Sequence, residues 1–261
     1  MIIEQIWTDN PYRNFNYLIA CSQSGEAMAI DPLDHEKCLA RAKEKGWEIT
    51  QVLNTHEHGD HIAGNQPTIE ATGAKLLAHH QAKDKIPGVD QGLAAGDVVK
   101  VGNVELEVLD TPGHTHCHIC LLGHGEAPAL ISGDTVFNAG VGNCGSGDPA
   151  LLYKTFAEQI SRLADETRIF PGHDYLANNL GFSLDREPDN AAAQALLVDA
   201  EAQDMENPIV TTLGQEKAYN TFLRLESPSL VAKLRETFSD LPAEPSPKEV
   251  FLKLRQLRND W

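Results

Sequence analysis

The segment Thr55-His56-Glu57-His58-Gly59-Asp60-His61 places three histidines and the carboxylate of Asp60 within seven residues. Neutral imidazoles with a carboxylate and no thiolate suit a borderline divalent cation such as zinc. One ion is not comfortably served by all four. On an extended segment His56 and His58 point the same way, whereas Asp60 and His61 come from the turn that follows.

Three further candidates share one context, the end of a strand-like run. His114 follows Leu106–Gly113, Asp134 follows Leu130-Ile131-Ser132-Gly133, and His173 follows Ile169-Phe170-Pro171-Gly172. A glycine beside each lets the backbone turn sharply and approach a shared centre. Five histidines and two aspartates supply two metals with three ligands each and one bridging carboxylate. A single His-x-His is ordinarily a solvated or hydrogen-bonded pair. The recurrence of His-x-His-x-Asp-His, Gly-His, Gly-Asp and Pro-Gly-His at strand ends makes the pattern specific.

The elements that must carry these groups follow from alternation and punctuation. Strands are predicted at Asn16–Ala20, Ala27–Ile30, Thr50–Leu53, Val98–Val101, Val104–Leu109, Ile119–Leu122, Ala129–Ile131 and Arg168–Phe170. Helices are predicted at His35–Lys45, Gln66–Thr72 and Pro149–Leu163. Two strand groups with interspersed helices imply an α/β protein built as an αββα sandwich. After about Tyr175 strand-like runs vanish, and Asn190–Met205, Leu213–Arg224, Ser227–Phe238 and Ser246–Arg258 read as helices. Ser227-Pro228 and the capping box Ser246-Pro247-Lys248-Glu249 mark two starts. A catalytic domain over 1–175 and an all-helical domain over 176–261 are expected.

Composition narrows the function classes. The 38 acidic residues outnumber 21 basic ones, for a net charge of −17, which opposes phosphate backbones and anionic membranes. No apolar run approaches the roughly 18 residues of a spanning helix. The five scattered cysteines imply a reduced, cytoplasmic chain, expected to be monomeric.

Thr55–His61, Thr111-Pro112-Gly113-His114-Thr115, Ser132-Gly133-Asp134-Thr135 and Pro171-Gly172-His173 resemble the metallo-β-lactamase superfamily in its di-metal hydrolase form. The likeness extends to its glyoxalase II (hydroxyacylglutathione hydrolase) family through Asn16–Ile19, Ala29–Pro32, His173-Asp174-Tyr175, Asn178–Leu180, Thr212–Glu216, Asn220–Arg224 and Arg255–Trp261. The resemblance implies one metal on His56, His58 and His114, a second on Asp60, His61 and His173, and Asp134 bridging both. It implies two Zn²⁺ per chain, although the ligand set also accepts iron or manganese. Asp60 and Asp134, with a metal-bridging hydroxide, would then cleave S-2-hydroxyacylglutathione, such as S-D-lactoylglutathione, to a 2-hydroxy acid and glutathione. A scaffold of the same kind also serves iron-dependent glutathione persulfide dioxygenases. Those use a single iron, so the complete second ligand set favours hydrolysis.

The thiol half of the substrate is a dicarboxylate peptide and needs local cations. Arg255 and Arg258, three apart on one helix face, correspond to basic residues holding the glycine carboxylate, and Tyr175 to a tyrosine on the same peptide. Asn143 and Gly145 stand where the family has a basic and an aromatic residue. Cys144 between them is a candidate for exposed reactivity. Cys117 and Cys120 are expected in the core, and His118 is expected to hydrogen-bond behind the ligands rather than bind metal.

Overall fold

The computed structural model describes residues Met1–Trp261. Its strands are β1 (Ile2–Trp7), β2 (Phe15–Ala20), β3 (Glu26–Ile30), β4 (Glu48–Leu53), β5 (Lys75–His79), β6 (Gln91–Leu93) and β7 (Val98–Val101). They continue with β8 (Val104–Asp110), β9 (Ile119–Gly123), β10 (Ala129–Gly133), β11 (Val136–Phe137), β12 (Gly140–Val141), β13 (Arg168–Pro171) and β14 (Thr211–Thr212). The helices are α1 (His35–Lys45), α2 (Gly59–Ile62), α3 (Asn65–Thr72), α4 (Pro149–Glu158) and α5 (Leu176–Arg186). The last four are α6 (Ala191–Glu201), α7 (Leu213–Tyr219), α8 (Pro228–Thr237) and α9 (Pro247–Asn259).

One sheet runs β1-β2-β3-β4-β5-β6 and the other β14-β13-β10-β9-β8-β7. The α/β class with two sheets and a C-terminal helical region is the one expected from sequence. By compactness the chain forms two units, one of Met1–Thr111, Cys117–Gly133 and Phe170–Asp174, the other of Pro112–His116, Asp134–Ile169 and Tyr175–Trp261.

In the first unit β1, β2 and β3 pair antiparallel, and β3 to β6 pair parallel. Parallel neighbours need crossovers: α1 lies between β3 and β4, α3 between β4 and β5, and a 3-10 turn at His80–Ala82 between β5 and β6. Asp34 caps α1 by accepting from the Lys37 N–H, and Gly46 closes it in the left-handed conformation. Leu18, Ala20, Ala27, Ala29, Val52, Leu76 and Ala78 form one core with Cys38 and Ala42 of α1. The small alanines let the helix lie close to the sheet. On β2's other face the buried Tyr17 donates its hydroxyl to the Pro171 carbonyl at 2.6 Å, and its ring meets Phe170 edge-on at 6.0 Å. Residues on both faces of β2 are therefore buried, which is why Phe15–Ala20 reads as a continuous apolar run.

In the second unit Phe156, Phe222 and Phe251 interlock at 5.2–5.6 Å between ring centres. Ser246 forms the expected capping box of α9. The sequence reading needs correction at several points. Helix α5 was not among its elements, and the run Leu213–Arg224 shortens to α7 plus a 3-10 turn at Thr221–Leu223. Strand structure also persists past Tyr175, because Thr211–Thr212 pairs with Arg168–Ile169. Finally, Ser227 does not cap α8. Its hydroxyl donates to Glu187 Oε1 at 2.6 Å.

Glu187 also receives Arg224 through Nε at 2.7 Å and Nη2 at 3.0 Å, and the Ser229 hydroxyl at 3.1 Å. Burial pushes this carboxyl up, but the Arg224 and serine donors outweigh it and hold it below the ordinary glutamate value of 4.5. A depressed folded value stabilises the protein above the unfolded value, and that contribution is lost as pH falls through the folded one. The urea midpoint should therefore fall on acidification below pH 4.5, the ordinary glutamate value. In Glu187→Gln that part of the profile should flatten. A parallel decline in the variant would show that Glu187 is not responsible.

Candidate metal centre

β4 delivers the chain at Leu53 to a loop that bends at Thr55 and His56, and the single turn α2 follows from Gly59. His56 and His58 come from this loop, His58 in extended backbone, with His56 Nε2 and His58 Nδ1 3.0 Å apart. Asp60 and His61 come from the turn, which Asn54 pins by donating Nδ2 to the His61 carbonyl at 3.1 Å. His173 follows β13. Its Nε2 lies 3.3 Å from His61 Nε2, and Asp60 Oδ2 lies 3.4 Å from His173 Nε2 and 3.6 Å from His61 Nε2. Tetrahedral zinc with bonds of about 2.0–2.1 Å places neighbouring ligand atoms about 3.3 Å apart. Asp60, His61 and His173 are thus spaced as ligands of one ion.

The outer hydrogen bonds fix which imidazole nitrogen carries the proton. His173 Nδ1 donates to the Tyr12 carbonyl at 2.7 Å, and His61 Nδ1 donates to Asp31 Oδ2 at 2.9 Å. Both acceptors lack hydrogens, so each neutral ring turns an Nε2 lone pair toward the other and toward a carboxylate oxygen. Three electron-pair donors aimed at one another call for a cation. Zinc, iron or manganese meets that demand, and the residues fit a divalent metal.

Asp31 and Thr55 are the functional residues that the sequence reading missed. The Thr55 hydroxyl donates to Asp31 Oδ2 at 2.6 Å, so at 3.0 Å it accepts from His56 Nδ1. Asp31 also accepts from the Thr55 N–H at 2.9 Å. One buried carboxylate therefore orients His61 directly and His56 through a hydroxyl. Its backbone takes φ 48°, a left-handed conformation that aspartate tolerates better than most residues. The motif Ala29-Ile30-Asp31-Pro32 carried the signal, but an aspartate before proline reads as a turn residue. His118 makes the expected hydrogen-bonding contact, with Nδ1 2.9 Å from the Thr111 hydroxyl, and its ring stacks on His56 at 5.1 Å.

The second unit holds the other two candidates. His114 Nε2 is 3.4 Å from Asp134 Oδ2, and His114 Nδ1 donates to the Asn143 carbonyl at 2.6 Å. The glycine expectation holds at Gly113 and Gly133. Gly133 takes φ +47°, and a Cβ there would lie 2.7 Å from Thr55 Oγ1. Gly172 stays out of the left-handed region. Its N–H instead donates to the Gly133 carbonyl at 2.8 Å.

The Asn143 side chain is exposed and accepts from the Gly145 N–H at 3.1 Å, while its backbone holds His114. Tyr175 packs edge-on against Phe137 at 5.1 Å. Arg258 is half-buried and donates Nη2 to Asn179 Oδ1 at 3.0 Å. Arg255 is 3% exposed, with Nη1 on the Gly142 carbonyl at 3.0 Å and Nη2 on Asn259 Oδ1 at 2.9 Å. Burial pushes its guanidinium down to about 10. Cys144 is not the reactive thiol its loop suggested. It is half-buried, and burial pushes it up to about 11 despite Arg255.

Comparison with known proteins matches residues 17–173 to the metallo-beta-lactamase superfamily and residues 174–261 to the hydroxyacylglutathione hydrolase C-terminus. A hydroxyacylglutathione hydrolase of Polaromonas sp. (strain JS666) is 65% identical, with all of both chains covered. The chain belongs to the hydroxyacylglutathione hydrolase family. Another member, from Nitrosococcus oceani, is 63% identical, again over the whole of both chains. Among solved structures, that of ETHE1 from Myxococcus xanthus aligns with a TM-score of 0.68 at 25% identity, covering 98% of this chain and 99% of that one. The family resemblance expected from the histidine pattern is therefore borne out, and with it the superfamily fold. No helix is long and apolar enough to cross a membrane.

Proposed function

We propose that this chain hydrolyses S-2-hydroxyacylglutathione, releasing a 2-hydroxy acid and glutathione, with S-D-lactoylglutathione as the reference substrate. The observation that carries the reading is the convergence of Asp60 Oδ2 with the Nε2 atoms of His61 and His173 at 3.3–3.6 Å. Family membership supports the substrate. In this reading Asp60, His61 and His173 hold one zinc ion, His56, His58 and His114 hold another, and Asp134 serves both. Such ions, when bound, polarise a carbonyl and lower the pKa of water toward about 7.

The chain's residues do the rest. Asp31 and the Tyr12 carbonyl keep the Nδ1 protons of His61 and His173 turned outward, so each ring presents a lone pair. The Asn143 carbonyl does the same for His114. A thiolate leaves readily, so no strong general acid is required, and Asp60 and Asp134 act as ligands that orient the attack. Residues 1–175 are assigned the chemistry and residues 176–261 the thiol peptide. Arg255 and Arg258 from the latter, with Tyr175 at the end of the former and Asn143 from its loop, are assigned to the glutathione moiety. Arg258, with one nitrogen committed to Asn179, is the more available cation.

The test compares S-D-lactoylglutathione with the D-lactoyl thioesters of coenzyme A and N-acetylcysteine at measured metal content. A kcat/KM at least about tenfold higher for the glutathione ester, worth about 1.4 kcal/mol of transition-state stabilisation, supports the reading. Equal or higher values on another thiol keep the hydrolysis and overturn glutathione. One iron per chain with oxygen uptake on glutathione persulfide overturns hydrolysis itself.

A further inference from the structure

The loop between β1 and β2 is built around the Asp60–His61–His173 group. Asp9 and Arg13, neither a glycine, take φ of 56° and 60°, and such outliers concentrate where function demands a fixed backbone. Arg13 is locked on both sides. Its guanidinium pairs with the Asp174 carboxylate and lies 5.0 Å over the Trp7 ring, and its carbonyl accepts from the Asp174 N–H at 2.9 Å. The Phe15 N–H donates to the Gly172 carbonyl at 2.8 Å. The loop therefore grips the chain on each side of His173, whose Nδ1 proton it takes through the Tyr12 carbonyl.

Asn14 lies between these anchors and is 1% exposed. Its Nδ2 donates to Asp60 Oδ2 at 3.0 Å and approaches the Asp60 carbonyl at 3.3 Å. Oδ2 is the oxygen that faces the two imidazoles. Asn10 settles the orientation of the Asn14 amide. Its Nδ2 donates to Asn14 Oδ1 at 2.9 Å, while its Oδ1 accepts from the Asn14 N–H at 3.3 Å. The amide cannot turn over without losing both the Asn10 donor and the Asp60 acceptor.

We infer that Asn14 is a positioning residue that aims Asp60 Oδ2 at the ion shared with His61 and His173, a role that rests on the two-ion reading above. An aspartate on a single helical turn has two free torsions and two equivalent oxygens. A buried carboxamide on one oxygen selects a rotamer and leaves that oxygen facing the histidines. Asp60 Oδ2 faces His61 and His173, so the effect belongs to the ion assigned to those three residues.

Purified wild type, Asn14→Leu and Asn10→Ala are loaded with zinc and dialysed against graded chelator, and metal per chain is measured. Wild type should hold two ions. Asn14→Leu should keep one at unchanged affinity and hold the other about 10–100-fold more weakly. Asn10→Ala, which frees the amide without removing it, should show a smaller loss at the same ion and serves if Asn14→Leu does not fold. The metal-free unfolding midpoints should stay within a few degrees of one another, whereas the rise on adding zinc should shrink in the variants. Wild type holding one ion overturns the two-ion reading. Wild type holding two beside variants that hold both as tightly overturns the role of Asn14 alone.

Discussion

Replacing His58 with alanine is expected to lower kcat/KM for S-D-lactoylglutathione about a thousandfold or more, with metal content falling in step. The reasoning is electrostatic. His58 Nδ1 lies 3.0 Å from His56 Nε2, and the His56 proton is already committed to Thr55 on its other nitrogen. Two imidazole nitrogens at that spacing either share a proton or share a cation. Removing His58 leaves two of the three imidazoles assigned to this ion, where a hydrolytic ion needs three protein ligands. A thousandfold loss corresponds to about 4 kcal/mol of transition-state stabilisation, a modest share of what a metal centre contributes. Steady-state kinetics on samples of known zinc content, with and without a chelator, give the answer. An alanine variant that turns over normally after chelation would dismantle the proposed centre.

Asp31→Ala is expected to act on both ligand groups at once. The carboxylate accepts from His61, from the Thr55 hydroxyl that holds His56, and from the Thr55 N–H. Its loss frees two rings to rotate and leaves buried donors without an acceptor. Each ion should bind about 10–100-fold more weakly, and the metal-free protein should lose about 3 kcal/mol in urea unfolding. Asp31→Asn keeps the size and the tolerance of φ 48° but offers a single acceptor oxygen, and should fall between. If alanine weakens one ion and spares the other, Asp31 does not serve both groups.

These two residues also mark how far sequence alone reaches. His58 was legible as a candidate because a metal ligand must be a particular residue type, and the His-x-His spacing is a local signal. Asp31 was not, since a carboxylate that orients an imidazole has no fixed sequence distance from it. It follows β3, while His61 lies on α2. The same contrast runs through the fold. Helix α1 matches its predicted bounds because capping and periodicity are local signals, whereas β1 escaped notice. Its six residues show no clean alternation, five of them being half-buried along a sheet edge. Ser227 carried a capping sequence, yet its hydroxyl went to the buried Glu187, a competitor forty residues away. Local rules lose where a distant buried charge needs the donor more.

The contacts of Arg255 tie the last helix to the loop that holds His114. Its guanidinium holds the Gly142 carbonyl, and the next carbonyl along, that of Asn143, fixes the proton of His114. Helix α9 thus steadies a candidate ligand 141 positions earlier in the chain. During synthesis the N-terminal strands emerge first and can fold as a unit. The loop that carries Asn143 gains its arginine support only once α9 has been made. The orientation of His114 is therefore coupled to the presence of the segment assigned to the thiol peptide.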